Sequence, residues 1–210
     1  MNYRTLLLTI ALTSLLVLNA WAQPFYDVYE LEVAGVKLGM SFDQATDTLK
    51  EKFGFAHLGK QRKYVESRKR HFSSKVRKHP VTKKAYLAEY SFWSGKSGTR
   101  IHGIIQAKPG GGEQVVVWKI EYELDKSDPG SGDAMLERAK SKYGAPSFGK
   151  SFDGFHSYVW CPKPTENETS YDSDKPTLKV AGARLIVADV KMMEESEEAV
   201  ARTSTIEADF

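Results

Sequence analysis

Apolar and polar positions along this chain follow two rhythms. Twice the apolar residues recur at helical spacing; elsewhere they alternate or cluster in short runs, as strands do. Phe42, Ala45, Leu49 and Phe53 fall on one helical face. Ser41 suits the N-cap of that helix, Gln44 three residues later completes a capping box, and Gly54 is placed to end it. A second helix is read after Asp128-Pro129, with Asp128 or Asp133 as its cap and Pro129 in its first turn. Met135, Leu136, Ala139 and Tyr143 make its apolar stripe, Gly144 stops it and Pro146 prevents resumption.

The remaining pattern reads as strands. Ala85–Trp93 is rich in aromatic and β-forming residues, and Arg100–Ala107 and Gln114–Leu124 flank the turn-forming Lys108-Pro109-Gly110-Gly111-Gly112. In the last of these, Val116, Trp118, Ile120, Tyr122 and Leu124 form one alternating set, which should face the core. Further strands are expected at Phe155–Cys161, Leu178–Val180 and Ala183–Met192, the last two forming a hairpin about Ala181-Gly182. Between them, Pro162–Pro176 is a polar loop by composition, and the stretch after Met193 reads as an acidic tail.

Strands in blocks with few helices predict an α+β fold: an antiparallel sheet with two main helices packed on one face. The helices also end alike, each with basic residues, an aromatic and then glycine (Gly54, Gly144), a weak repeat at a spacing of 90 residues. It divides the chain into a leader (1–22), a first α+β unit (23–125), a second (126–192) and an acidic tail (193–210). The Gly39-Met40-Ser41 start of the first helix and the Lys142-Tyr143-Gly144-Ala145-Pro146 end of the second resemble the small exported domains of the BamE/SmpA-like and beta-lactamase-inhibitor-protein-like families. So do the strands that follow each helix. That resemblance covers about Val33 to Asp189 as two tandem units and implies a protein that binds other proteins and performs no chemistry.

The N-terminus supplies an address. Arg4 is followed by an apolar run from Leu6 to Val17, and Ala20 and Ala22 put small residues where a signal peptidase requires them. The run is shorter than the roughly 20 residues of a membrane-spanning helix. The expectation is therefore a signal peptide cleaved after Ala22 and a periplasmic or secreted product. One cysteine, Cys161, leaves no internal disulfide to hold such a fold, so its core must do so. Beside Trp160 it reads as a small buried hydrophobe, with a bridge to a second molecule as the sharper alternative.

Charge changes the picture more than composition does. Formal net charge is only +3, yet residues 60–84 hold 11 Lys and Arg against the single acid Glu66. With the exported part at about +2, the other residues carry a surplus of negative charge, part of it in Glu194, Glu195, Glu197 and Glu198. Such a basic run is ordinarily a solvated face; it is also what an acidic partner needs. The candidate contacts are Arg62, Lys63, Arg68, Lys69, Arg70, Lys75, Arg77 and Lys78, with Trp93 as an aromatic contact, although Trp93, Trp118 and Trp160 all lie on expected strands where tryptophan is usually core. The expected partner is an acidic protein of the cell envelope, with anionic lipid or glycan as the alternative; nucleic acid is not expected.

Catalytic signatures are weak. Gly95-Lys96-Ser97 lacks the upstream glycine of a phosphate-binding loop, since Tyr90 stands at that position, and reads as a turn. The five histidines (57, 71, 79, 102 and 156) show no pair at metal-binding spacing. His156 and Cys161, on one strand at odd separation, should point to opposite faces. The reading is a protein without catalytic residues, metal or cofactor, an enzyme of unrecognised type being the remaining alternative.

Overall fold

The structure, a computed structural model, describes residues 27–54, 70–79, 81–152, 155–161 and 175–208. It is an α+β protein. The described strands are β1 (Arg70–Lys78), β2 (Ala85–Ser94), β3 (Ser97–Ala107), β4 (Glu113–Leu124), β5 (Phe148–Phe152), β6 (Phe155–Trp160), β7 (Thr177–Ala181) and β8 (Arg184–Ala188). They form one antiparallel sheet in the order β1-β2-β3-β4-β8-β7-β6-β5. The helices are α1 (Phe42–Phe53), α2 (Ser131–Tyr143) and α3 (Val190–Ala208).

Local chemistry fixes α1 at both ends. The Ser41 hydroxyl accepts the backbone N–H of Gln44 at 3.3 Å and donates to the Gln44 side chain at 2.9 Å. Gly54 closes the helix in the left-handed region (φ 71°), its N–H bonding the carbonyls of Lys50 and Glu51. The apolar stripe Phe42, Ala45, Leu49 and Phe53 is buried against β2, β3 and β4. Helix α2 buries Met135, Leu136, Ala139 and Tyr143 and packs on β6, β7 and β8. Both stripes belong to one core with Phe92, Ile101, Ile120, Trp160 and Leu178. A side chain such as Leu49, with no exposed surface, contributes about 1.5–3 kcal/mol by leaving water.

Several expectations are corrected. Helix α2 begins at Ser131, not at Pro129, and its N-cap is Gly130, with no side-chain capping bond. Asp128 instead accepts the N–H of Gly130, and Asp133 lies in the first turn, where its carboxylate meets His156 at 2.7 Å. The last strand stops at Ala188: Asp189 takes the Met192 N–H at 3.0 Å and caps α3, so Val190–Met192 is helix rather than strand. The hairpin there turns at Gly182-Ala183, between paired Ala181 and Arg184. Strands β1 and β5 were not expected from the sequence.

The alternation in β4 is broken by a bulge. Across β3, His102 pairs with Lys119 but Gly103 pairs with Val117, which leaves Trp118 as an extra residue. Val117 joins the core beside α1, with Val115 packed against it. Trp118 is aimed the other way, its ring 5.9 Å from that of His102. The expected core set of β4 thus holds from Ile120 to Leu124 and fails beyond the bulge, where Trp118 turns to the other face and Val116, although buried, pairs with Ile104 and lies outside the core that Val117 joins. A matching irregularity in β2 leaves Ala88 extra, because Lys75 pairs with Glu89 and Val76 with Leu87.

Candidate functional site

The sequence-predicted site residues are only partly brought together. Arg62, Lys63, Arg68 and Lys69 lie outside the described residues, and Arg70 opens β1. Lys75, Arg77 and Lys78 stand exposed along β1, an edge strand whose one neighbour among the described strands is β2. Val76 between them is 60% exposed, an unusual position for a β-branched apolar residue. Trp93 is not with them. It lies at the far end of β2, paired with Gly98, where a Cβ would come within 2.5 Å of its indole.

Beside β1 lies a feature the sequence reading missed. The sheet face turned away from α1 carries a charged network across β1 to β4. Register places Lys75, Glu89, His102 and Lys119 in one cross-strand row, and Ser91, Arg100 and Glu121 in the next. Glu89 is 8% exposed and Glu121 is 7% exposed, so both carboxylates are largely out of water. Glu89 is met by Lys75 at 2.9 Å, by Arg100 at 3.4 Å and by His102 at 3.8 Å. Glu121 is met by Lys119, by Arg100 at 3.6 Å and by His102 at 3.7 Å. Buried carboxylates are tolerable only when paired in this way.

The pairing decides their protonation. His102 beside Glu121, with Lys119 adding to it, outweighs burial and holds that carboxyl well below the usual range. Burial pushes Glu89 upward, but Lys75, His102 and Arg100 together outweigh it, and its carboxyl is also lowered. A general acid needs a carboxyl raised toward neutral pH. Both glutamates are moved the other way, so neither carboxyl is held protonated for that role.

A groove of about 530 Å³ opens between this face and α3. Its sheet side includes both bulge residues, Ala88 and Trp118, with Glu89, His102 and Ile104; Lys75, Arg77 and Lys78 border it on β1. Met193, Ser196, Glu197 and Val200 line it from α3. The helix is fixed at its start by Asp189, whose N–H bonds the Trp118 carbonyl at 2.9 Å and whose carboxylate accepts the Tyr29 hydroxyl. Burial and Asp189 push the Tyr29 phenol above its ordinary range. Further along, the Ser196 hydroxyl donates to the Ile105 carbonyl at 2.9 Å. On the far side of β3, Gly103 has room for no side chain, because a Cβ would lie 2.5 Å from Phe42 of α1.

The other candidates have structural places. Gly95-Lys96 is the two-residue tip of the β2–β3 hairpin, with Gly95 at φ 63°. His156 contacts Asp133, and Cys161 is buried beyond the end of β6. Trp160 has no exposed surface and donates to the Gly144 carbonyl at 3.0 Å. His79 is buried and accepts the N–H groups of Val81 and Thr82 through Nδ1. No group of three or more His, Cys, Asp or Glu placed to hold a metal occurs among the described residues, and no described helix is long and apolar enough to cross a membrane. No family model, curated protein or solved structure matches this chain.

Proposed function

We propose that this is a non-enzymatic, exported binding protein that engages an acidic protein partner along β1. The observation that carries the reading is the cationic edge: Lys75, Arg77 and Lys78 are exposed on a strand that pairs, among the described residues, with β2 alone, and Arg77 and Lys78 make no ion pair among those residues. An edge strand offers a row of backbone donors and acceptors to an incoming extended segment. Charge selects the segment. Like charges across a strand pair are unfavourable and opposite charges favourable, so β1 rejects a second copy of itself and accepts an acidic strand. Exposed Val76 gives the contact an apolar centre.

The scaffold reads as two tandem units, each a helix followed by four strands, joined through β4 and β8 with both helices on one face. The mirrored strand order and the shared core of α1 and α2 support it. This is the arrangement the resemblance to the beta-lactamase-inhibitor-protein-like domains implies. The apolar leader ending at Ala22 supports a periplasmic or secreted location.

A short peptide alternating Glu and Val tests the edge. It should bind at low salt, weaken as salt rises, and lose binding when alternate backbone nitrogens are methylated. Arg77→Glu with Lys78→Glu should remove binding without unfolding the chain, since both side chains are exposed. Equal binding of a peptide alternating Lys and Val would overturn the proposal.

A further inference from the structure

The groove between the sheet and α3 offers an apolar lining that the β1 edge does not. We infer that it binds a single-chain amphiphile with an acidic head, the chain lying between β3 and α3 and the head at the β1 end beside Arg77.

Three observations converge on this ligand. The first is size and lining. About 530 Å³ falls inside the range of roughly 300–1,000 Å³ typical of small-molecule clefts. Ile104 and Trp118 on the sheet and Met193 and Val200 on α3 give it an apolar interior. The second is how it is made. Both bulge residues, Ala88 and Trp118, face it, and bulges re-aim side chains next to binding sites. A regular β4 could not keep Ile120 in the core and also turn Trp118 into the groove on the opposite face.

The third is the distribution of charge. Glu89 is spent on Lys75, Arg100 and His102, so it does not repel an acid at the mouth. Arg77 pairs across the ladder with Tyr86, which also lines the groove, and makes no ion pair among the described residues. Its planar fork matches a carboxylate or phosphate head. Glu197, on the α3 wall, disfavours an acid there. A neutral head gains no ionic contact, and a cationic head meets Lys75, Arg77 and Lys78 at the β1 end against the single carboxylate of Glu197 on the helix wall, whereas an acidic head has one favourable end. Free fatty acids and alkyl phosphates share this chemistry.

Calorimetric titration of the full chain decides the matter. Octanoate, decanoate and dodecanoate, below their micelle concentrations, should bind one per chain. Affinity should rise with length, by up to about fourfold per methylene where the chain is fully buried. Dodecyl phosphate measured in parallel assigns the head: whichever binds at least tenfold tighter is the source class. Dodecyltrimethylammonium and dodecanol should each bind at least tenfold more weakly than the better acid. Arg77→Gln should lose about tenfold while retaining the length dependence, and Val200→Glu should abolish binding of the acids. Val200→Glu leaves β1 intact, so it should still bind the Glu/Val peptide, which separates failure at this site from failure at the edge. Equal binding of the ammonium amphiphile, or no dependence on chain length in the wild-type chain, would overturn the inference.

Discussion

The two faces of β2–β4 are built from the same three strands on opposite terms. Toward α1 the side chains include Phe92, Ile101 and Ile120, which share one core with Leu49 and Phe53; Tyr90, Thr99 and Tyr122 lie on the same face, which carries no charged group in these rows. Toward α3 they are Glu89, Ser91, Arg100, His102, Lys119 and Glu121. The difference lies less in depth than in the partners' access to water. Both glutamates are under 10% exposed, but the side chain of Arg100 is 41% exposed and that of Lys75 is 67% exposed. The cations snorkel: their stems cover the sheet while their heads keep part of their hydration. A charged face can therefore be nearly dry at its acids without a fully buried ion pair, the costly case.

The apolar face should be the more sensitive to truncation. Leu49→Ala should lose about 2–5 kcal/mol in chemical denaturation, because the neighbours of a fully buried leucine collapse only partly into the space. Glu121→Gln should lose only about 1–2 kcal/mol, since Arg100 and Lys119 can turn toward water when the carboxylate charge is removed. If Glu121→Gln cost as much as Leu49→Ala, the charged face would be a true buried network and the contrast would fail.

Acid should also separate the faces. The Glu89 and Glu121 carboxyls are both lowered on folding, by the cations described above. Their stabilisation is fully present above the unfolded-state value of about 4.3, and it is lost progressively as pH falls from there through the folded values. Chemical denaturation at neutral pH and at about pH 3 should show the wild type losing more stability than the Glu89→Gln, Glu121→Gln double variant. An equal loss in both would mean that other carboxylates govern acid sensitivity. Leu49→Ala should shift both measurements by the same amount, because it removes only apolar atoms from the buried core.

This contrast was half legible in the sequence. The apolar stripes of α1 and α2, the Ser41 cap, the Gly54 stop and the β2–β3 and β3–β4 turns all follow from spacing and turn chemistry. Local rules of this kind act within a few residues, so one segment contains all the information. The bulges do not have that property. Nothing inside Val115-Val116-Val117-Trp118 marks Trp118 as extra; the register shift arises from pairing with β3 on one side and, on the other, from the bonds of Gly39 and Met40 to Val117. The glutamates were equally hidden. Glu121 and Lys119 occupied the polar positions of an alternating strand, the usual mark of a solvent face, and Glu89 stood in an aromatic run. Only the register brings Glu89, His102 and Glu121 together. Strand β1 was obscured by its own charge: residues 70–78 lack the apolar alternation of a half-buried strand because an edge strand has little to bury.

The smallest global effect is expected where α3 meets the charged face. Asp189 accepts the Met192 N–H, and its own N–H holds the Trp118 carbonyl. Losing an N-cap ordinarily costs about 1 kcal/mol. Helix α1 would transmit that cost to the whole fold, since its stripe is part of the core; Ser41→Ala should lower global stability by about that amount. Among the described residues, helix α3 touches only β3 and β4 appreciably and adds no side chain to the main core. Asp189→Ala should therefore leave the global denaturation midpoint nearly unchanged while α3 opens more often. Amide exchange in Met192–Val200 should accelerate about fivefold or more, the opening equilibrium expected from about 1 kcal/mol, with β2–β4 amides unaffected. Dodecanoate bound in the groove should slow that exchange again, because α3 forms one of its walls. Uniform acceleration through β2–β4 would place α3 inside the cooperative core and remove the distinction between the two faces.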